Sequence, residues 1–146
     1  VGLGPNLHPT NLTPDEQYTH ISLWCLLSSP LLIGCDLTRL DDFTLNLLTN
    51  DEVLAIDQDP LGKQATPKII KDNIQVWVKD LEDGNKAIGI FNLGSETKKY
   101  SLDFSVIGIK ANSKVRDLWR QKDLGKFKEK FETVVPSHGV VLVKIF

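Results

Sequence analysis

The spacing of apolar and polar residues changes near residue 62 of this 146-residue chain. Before that point the apolar residues follow helical spacings, interrupted by one short continuous run. After it they fall in short, often alternating stretches that are separated by turn residues. The first pattern is typical of an α/β unit and the second of an antiparallel β-sandwich. We therefore expect two regions, residues 1–62 and residues 63–146.

The front region begins with a loop and a clearly marked helix. Residues 1–12 contain too much Gly, Pro and Asn for regular structure, which predicts a loop. Thr13-Pro14-Asp15-Glu16 then supplies an N-cap, a proline at the first helical position and a glutamate that can close a capping box. The helix that follows is apolar on most of its surface towards its end and stops before Pro30, so we expect it to be largely buried.

A short strand and a second helix are predicted next. Leu31–Cys35 is continuously apolar, which is the pattern of a parallel strand covered on both faces, and Asp36 then lies where that strand leaves the sheet. Asp41-Asp42 can cap a second helix that ends near Asn50. The apolar segment Val53–Ile56 is of undetermined type. The front region resembles an α/β unit that has too few strands to close a sheet.

The back region reads as a series of short strands. Its predicted strands are Ile69–Ile70, Ile74–Val78, Ala87–Phe91, Lys98–Phe104, Val115–Trp119, Phe127–Val134 and Val140–Phe146. Turn residues separate them, including the predicted turns Lys122–Gly125 and Pro136–Gly139. This spacing predicts an antiparallel sandwich.

Charge divides the chain at the same place. Residues 1–62 carry one basic and nine acidic side chains, a formal charge of −8, whereas residues 63–146 carry sixteen basic and ten acidic ones, a charge of +6. The near-neutral total gives no general electrostatic case for nucleic acid. No apolar run approaches the roughly 20 residues that span a bilayer. We therefore expect neither a nucleic-acid nor a membrane partner.

Two further compositional features bear on origin and redox state. The chain begins at Val1 and contains no Met, which indicates a piece of a longer protein. Cys25 and Cys35 lie in apolar surroundings without the spacing of a metal site, so two free thiols are favoured over a disulfide, which the separation alone does not exclude.

Several motifs, in order, carry a resemblance to a known family. Ser29–Arg39 reads SPLLIGCDLTR, and Leu48–Gly62 reads LTNDEVLAIDQDPLG. Later come Val115–Trp119, VRDLW, then Lys122–Gly125, KDLG, and Val135–Leu142, VPSHGVVL. Together they resemble the C-terminal part of the α-galactosidases of glycoside hydrolase family 27. The resemblance covers nearly the whole chain.

The resemblance implies an architecture and an activity. Residues 1–62 correspond to the last units of a (β/α)₈ barrel, and residues 63–146 to a closing antiparallel β-sandwich. A whole barrel takes about 250 residues, so the chain holds only its end. The parent enzyme would remove terminal α-linked galactose from oligosaccharides without a cofactor or metal, and would be secreted, periplasmic or lysosomal. Relatives acting on α-N-acetylgalactosamine or β-arabinose remain open.

The resemblance also implies that the catalytic groups lie upstream of Val1. Retaining glycosidases use two carboxylates about 5–5.5 Å apart, and neither family aspartate is matched here, so we expect the chain alone to be inactive. Asp36 is the candidate substrate-binding residue because residues after a barrel strand line the active-site face. A supporting hydrogen bond or a cap for Leu37 onward is the alternative.

Other polar and aromatic residues favour structural roles. Asp57 and Asp59 indicate turn or hinge hydrogen bonding rather than a metal site. Trp77 and Trp119 lie in apolar strands, which favours core packing, although an exposed tryptophan could stack on a sugar ring. The competing hypothesis for the whole chain is therefore a carbohydrate-binding or purely structural β-sandwich module.

The truncated barrel predicts a further property. Residues 23–33 would face strands that the chain does not contain. An exposed apolar patch of that size promotes association, and we expect the chain to self-associate through it.

Overall fold

A computed structural model describes residues 9–146, so most of the predicted N-terminal loop and His8 lie outside the described residues. Its helices are α1 (Pro14–Leu26), α2 (Asp42–Thr49) and α3 (Asp51–Asp57), with two short 3₁₀ helices at Leu37–Arg39 and Ser105–Ile107. Its strands are β1 (Thr66–Lys71), β2 (Ile74–Asp80), β3 (Lys86–Asn92), β4 (Lys98–Asp103), β5 (Ser113–Asp117), β6 (Lys122–Phe127), β7 (Lys130–Val135) and β8 (Val140–Ile145).

Side-chain caps begin each of the three α-helices. The capping box of α1 is present: the Glu16 N–H donates to Thr13 Oγ1 and the Thr13 N–H donates to Glu16 Oε2, at 3.3 and 2.8 Å. Asp41 Oδ1 accepts from the Thr44 N–H at 2.7 Å to cap α2. Asn50 Oδ1 accepts from the Val53 N–H at 3.1 Å, and the segment of undetermined type is therefore the short helix α3.

The predicted strand at Leu31–Cys35 does not form. The segment has no regular secondary structure, and its Leu32 and Ile33 side chains are 92% and 50% exposed. A strand needs a neighbour to satisfy its backbone hydrogen bonds, and residues 9–146 offer no strand beside it. An apolar run indicates which residues favour burial but supplies no pairing partner.

The back region is a two-sheet antiparallel sandwich, as predicted. Six strands form one sheet in the order β1-β2-β3-β8-β5-β6, and β4 pairs with β7 in the second. The two sheets enclose an apolar core. Its most deeply buried members are Val76, Ile88, Ile90, Leu102, Phe104, Val115, Phe131, Val135 and Val143.

The predicted boundaries around β6 are wrong. Lys122–Gly125, predicted as a turn, belongs to β6, and the single strand predicted at Phe127–Val134 is the end of β6 followed by β7. Strand β6 lies at the edge of the large sheet and is mostly exposed, so it lacks the buried alternation that marks a strand. Gly125 has a φ of +100° and lies beside a register shift in the pairing of β5 with β6. A glycine of this kind in the sequence is also typical of a turn, which explains the wrong prediction.

The helices pack on the outer face of the large sheet. Cys25 and Leu26 of α1 and Val53 and Ile56 of α3 form a second buried cluster with sheet residues. Gly89 allows this approach, because a Cβ there would lie 2.6 Å from Leu26 Cδ1. Within residues 9–146, none of the helices is both long and apolar enough to span a bilayer.

Candidate functional site

Asp36, the predicted substrate-binding residue, caps the 3₁₀ helix Leu37–Arg39. Its Oδ1 accepts from the Thr38 N–H at 3.0 Å and from Thr38 Oγ1 at 2.7 Å. These hydrogen bonds lower the pKa of Asp36, so the exposed carboxylate is ionised at neutral pH. Capping engages Oδ1, and a substrate contact of Asp36 stays a prediction.

The aspartates near the end of α3 have structural partners. Asp59 Oδ1 accepts from the Leu61 N–H and from the Glu82 N–H, each at 3.1 Å, which ties the linker between the regions to the β2–β3 turn. Asp57 is buried, and its Oδ2 accepts from the Gln58 side chain. The predicted hinge hydrogen bonding is confirmed for Asp59.

A buried lysine lies beside this pair and was not anticipated from the sequence. Lys79 of β2 is fully buried and donates to Ser28 Oγ, between the end of α1 and the sheet. Burial lowers the pKa of Lys79, and the charges of Asp59 and Asp57 oppose that shift. Lys79 shares a sheet face with Trp77, but the sequence does not show that helices cover this face, so no local signal marked Lys79 for burial.

The thiol of Cys25 belongs to the same buried neighbourhood. Cys25 and Cys35 are free thiols, as favoured from the sequence. Burial raises the pKa of Cys25 to about 12, and the charge of Asp57 adds to the effect. A thiol with so high a pKa is protonated at neutral pH, so Cys25 is not suited to act as a nucleophile.

The two tryptophans of the back region lie between the helices and the sheet. Trp119 Nε1 donates to Ser22 Oγ of α1 at 2.8 Å, and the Trp119 ring meets the Tyr18 ring edge-on at 4.7 Å. Trp77 packs partly buried against the same cluster and donates to Gln75 Oε1. Both rings therefore serve packing, and Trp119 holds α1 on the sandwich.

The histidines are not brought together. His20 is exposed and meets Trp24 edge-on at 5.4 Å. His138 lies in the predicted Pro136–Gly139 turn with φ of +51°, and its carbonyl accepts from Thr19 Oγ1 of α1. Within the described part of the chain, no group of three or more His, Cys, Asp or Glu side chains is arranged to hold a metal.

Polar contacts also join α3 to the β5–β6 hairpin. Glu52 accepts two hydrogen bonds from the Arg116 guanidinium, at 2.6 and 2.7 Å, and Asp123 accepts a third at 2.9 Å. These carboxylates raise the pKa of Arg116. Asn50 Nδ2 donates to the carbonyls of Leu118 and Trp119. The front helices are thus bound to the sandwich by polar contacts as well as by the buried cluster.

The arrangement defines a class of protein: the helical end of a (β/α)₈ barrel followed by an antiparallel β-sandwich. Residues 71–145 match the family described as the alpha galactosidase C-terminal beta sandwich domain, and residues 8–59 match the family described as alpha galactosidase A. The chain belongs to the α-galactosidase family of glycoside hydrolase family 27, as the resemblance implied, and comprises a C-terminal portion of it.

Individual relatives agree with this assignment. A Dictyostelium discoideum protein named as a probable alpha-galactosidase is 38% identical over 140 residues, which cover 92% of this chain and 36% of that protein. Alpha-galactosidase I from Mortierella vinacea superposes with a TM-score of 0.88 at 29% identity, covering 92% of this chain and 36% of the other. A β-L-arabinopyranosidase from Geobacillus stearothermophilus superposes with a TM-score of 0.88 at 33% identity, covering 94% of this chain and 32% of that one. The chain spans about a third of the length of these relatives.

Proposed function

We propose that this chain is the C-terminal part of a retaining glycoside hydrolase that removes terminal α-linked galactose from oligosaccharides. The observation that carries the proposal is the 38% identity to a named α-galactosidase across both regions of the chain. Identity in both regions supports a single parent enzyme rather than an isolated sandwich module.

The chain contributes the scaffold of that enzyme and not its reacting groups. The carboxylates of Asp36, Asp59 and Glu52 accept hydrogen bonds from backbone N–H groups, a hydroxyl and an arginine. Two carboxylates facing one sugar are needed for retention. We therefore place the nucleophile and the acid/base in the part of the parent enzyme that precedes this chain.

A chimeric enzyme tests the proposal. The corresponding C-terminal part of the Dictyostelium relative is replaced by residues 1–146, and release of nitrophenol from an aryl α-galactoside is measured. We expect turnover by the chimera and none by the 146-residue chain alone. Turnover by the chain alone, or a folded chimera without activity, would contradict the proposal.

We propose that Asp36 contacts the substrate in the assembled enzyme. Its exposure, and its place within residues 8–59, which match the family described as alpha galactosidase A, support this role. Asparagine keeps the acceptor Oδ1 that caps the 3₁₀ helix and removes the charge. In the chimera, Asp36→Asn should raise KM several-fold and leave the thermal midpoint unchanged, whereas an unchanged KM would assign Asp36 to capping alone.

We propose that the two regions divide at residues 62 and 63 and that the front region carries an association surface. The end of α3 at Asp57, the start of β1 at Thr66 and the change of charge support the boundary. Trp24, Leu32 and Ile33 are exposed by 42%, 92% and 50%, which supports an apolar surface on the front region. In the parent enzyme the rest of the barrel would cover it, and in the chain alone a second copy would.

Light scattering tests that association. The chain should form dimers or larger species, and Leu32→Ser with Ile33→Ser should shift it towards the monomer. Val134→Ser is the matched control, because Val134 is 52% exposed on the sandwich. A strictly monomeric unsubstituted chain, or equal effects of the two sets of substitutions, would contradict a surface located on the front region.

A further inference from the structure

A cleft lined by lysines lies where the linker meets the sandwich. Lys63 of the linker, Lys68 of β1 and Lys86 of β3 line it together with Asp80 of β2, and its volume is about 440 Å³. Ligand pockets for small molecules usually have volumes of about 300–1,000 Å³. This lysine cleft is large enough for a monosaccharide.

The charges in the lysine cleft do not cancel. Lys63 Nζ donates to Asp80 Oδ2 at 2.5 Å, and Lys86 Nζ donates to Asp80 Oδ1. Hydrogen bonds from Lys63 and Lys86 lower the pKa of Asp80 to about 2, so the carboxylate is ionised at neutral pH. One carboxylate faces three ammonium groups, and the cleft carries a net charge of +2.

A β-bulge directs the third lysine. In the pairing of β1 with β2, Pro67 lies opposite Trp77 and Ile69 opposite Val76, so Lys68 is the extra residue between them. Bulges re-aim side chains and are over-represented beside functional sites. Lys68 lines the cleft and has no ion-pair partner within residues 9–146.

The rest of the lining is apolar. Val106 beside the cleft is 57% exposed, and Val78 and Ile107 reach it from the sandwich core. A wall of methyl groups beside ammonium groups suits a ligand with a C–H face and an anionic substituent, as a sugar acid has. An inorganic anion would use the charge and leave the apolar wall unused.

Protection of the sheet edge is the competing explanation. A bulge and a lysine on an edge strand hinder pairing with another chain, and β1 is an edge strand. That explanation covers Lys68 alone. Lys86 comes from the interior strand β3 and Lys63 from outside the sheet, so edge protection does not account for their convergence on the same cleft.

We propose that the lysine cleft, formed by Lys63, Lys68 and Lys86 over Val106 and Ile107, binds a saccharide that carries an anionic group. The anionic part of the ligand follows from the cleft itself. The saccharide part rests on the proposed function. Binding here requires no catalytic group, so it can be measured on the 146-residue chain alone.

Titration of the ¹⁵N-labelled chain with galacturonate, followed by amide chemical shifts, tests this proposal. We expect saturable shifts at Lys68, Lys86 and Gly108, with weaker binding as NaCl rises. Galactose should bind at least about threefold more weakly, because it lacks the anion. Inorganic phosphate should also bind more weakly than galacturonate, because it cannot use the apolar wall.

Three variants locate the site. Lys68→Gln should weaken galacturonate binding about threefold, the effect of one exposed charge. Val106→Ser should weaken galacturonate and leave phosphate unchanged. Lys144→Gln is the matched control, since Lys144 pairs with Asp83 outside the cleft, and it should change neither.

Three outcomes would overturn the proposal: no saturable shifts, equal binding of galactose and galacturonate, or equal binding of phosphate and galacturonate. Each is read on the 146-residue chain without an activity assay. A chimera that fails to hydrolyse galactosides would therefore leave the binding result standing, and the two proposals can fail separately.

Discussion

The sandwich and the front helices differ in how completely each buries its own apolar side chains. The larger core cluster is built entirely from residues after position 63, whereas the cluster of the helices is completed by sheet residues such as Ala87, Phe91 and Leu142. Of the thirteen exposed large apolar residues within residues 9–146, seven lie in the shorter front region, namely Leu12, Trp24, Leu32, Ile33, Leu37, Leu45 and Leu61. The core between the two sheets is complete without the front region, whereas the helices bury their apolar side chains only against the sheet.

The largest effect should come from truncating the sandwich core. Phe131 of β7 is 2% exposed and meets Phe127 edge-on at 5.2 Å. Phe131→Ala should lower the free energy of unfolding by about 3–5 kcal/mol, measured with urea, because it leaves a cavity between the sheets. Leu45→Ala on α2, where Leu45 is 47% exposed, should stay within about 0.5 kcal/mol. Equal effects at the two positions would remove the contrast between the regions.

A smaller effect should separate the helices from the sheet. A Cβ at Gly89 would lie 2.5 Å from Phe91 Cε2 and 2.6 Å from Leu26 Cδ1. Gly89→Ala should therefore cost about 1–3 kcal/mol of stability and displace α1, which the near-ultraviolet signal of Trp119 beside Tyr18 reports. Adding Leu26→Ala removes one of the colliding groups, so the double variant should lose less stability than the sum of the losses in the two single variants. Strict additivity would contradict the close approach.

The pH dependence of the helix–sheet junction should be smaller still. Burial raises the folded-state pKa of Cys25 from 9.0 to about 12, so the unfolded chain loses this proton first. The protonated thiol therefore contributes its full share to the free energy of unfolding below pH 9, and this share is lost as pH rises towards 12. By pH 10 the loss is about 1.4 kcal/mol. Urea unfolding at pH 8 and pH 10 measures it. In Cys25→Ala, the difference between the free energies of unfolding at pH 8 and pH 10 should be smaller by that amount. An unchanged difference would show that Cys25 is accessible to water.

Local signals were sufficient for part of this structure. The capping box before α1 involves residues three positions apart, and the short strands of the sandwich core alternate clearly, so both were predictable from the chain itself. The class of fold followed from the same patterns. The resemblance to family 27 added the order of the two regions and their parent enzyme.

The features that were wrongly predicted or missed from the sequence depend on residues that are distant along the chain. Leu31–Cys35 has the composition of a buried strand, but pairing requires a neighbour that residues 9–146 do not supply. Strand β6 is exposed at an edge, so its sequence lacks apolar alternation. The bulge that directs Lys68 into its cleft is set by the register of β1 on β2, which no local pattern encodes. Burial of Lys79 requires the helices to cover that face of the sheet.

Native-state hydrogen exchange of the 146-residue chain tests most directly whether the sandwich is complete while the front region depends on its neighbours. Amides of β3 and β8, at the centre of the large sheet, should exchange only through global unfolding. Amides of α2, whose one buried residue is Leu47, should exchange through local opening at much lower free energy. If α2 is protected as strongly as β3, the two regions form one cooperative unit and the account is contradicted.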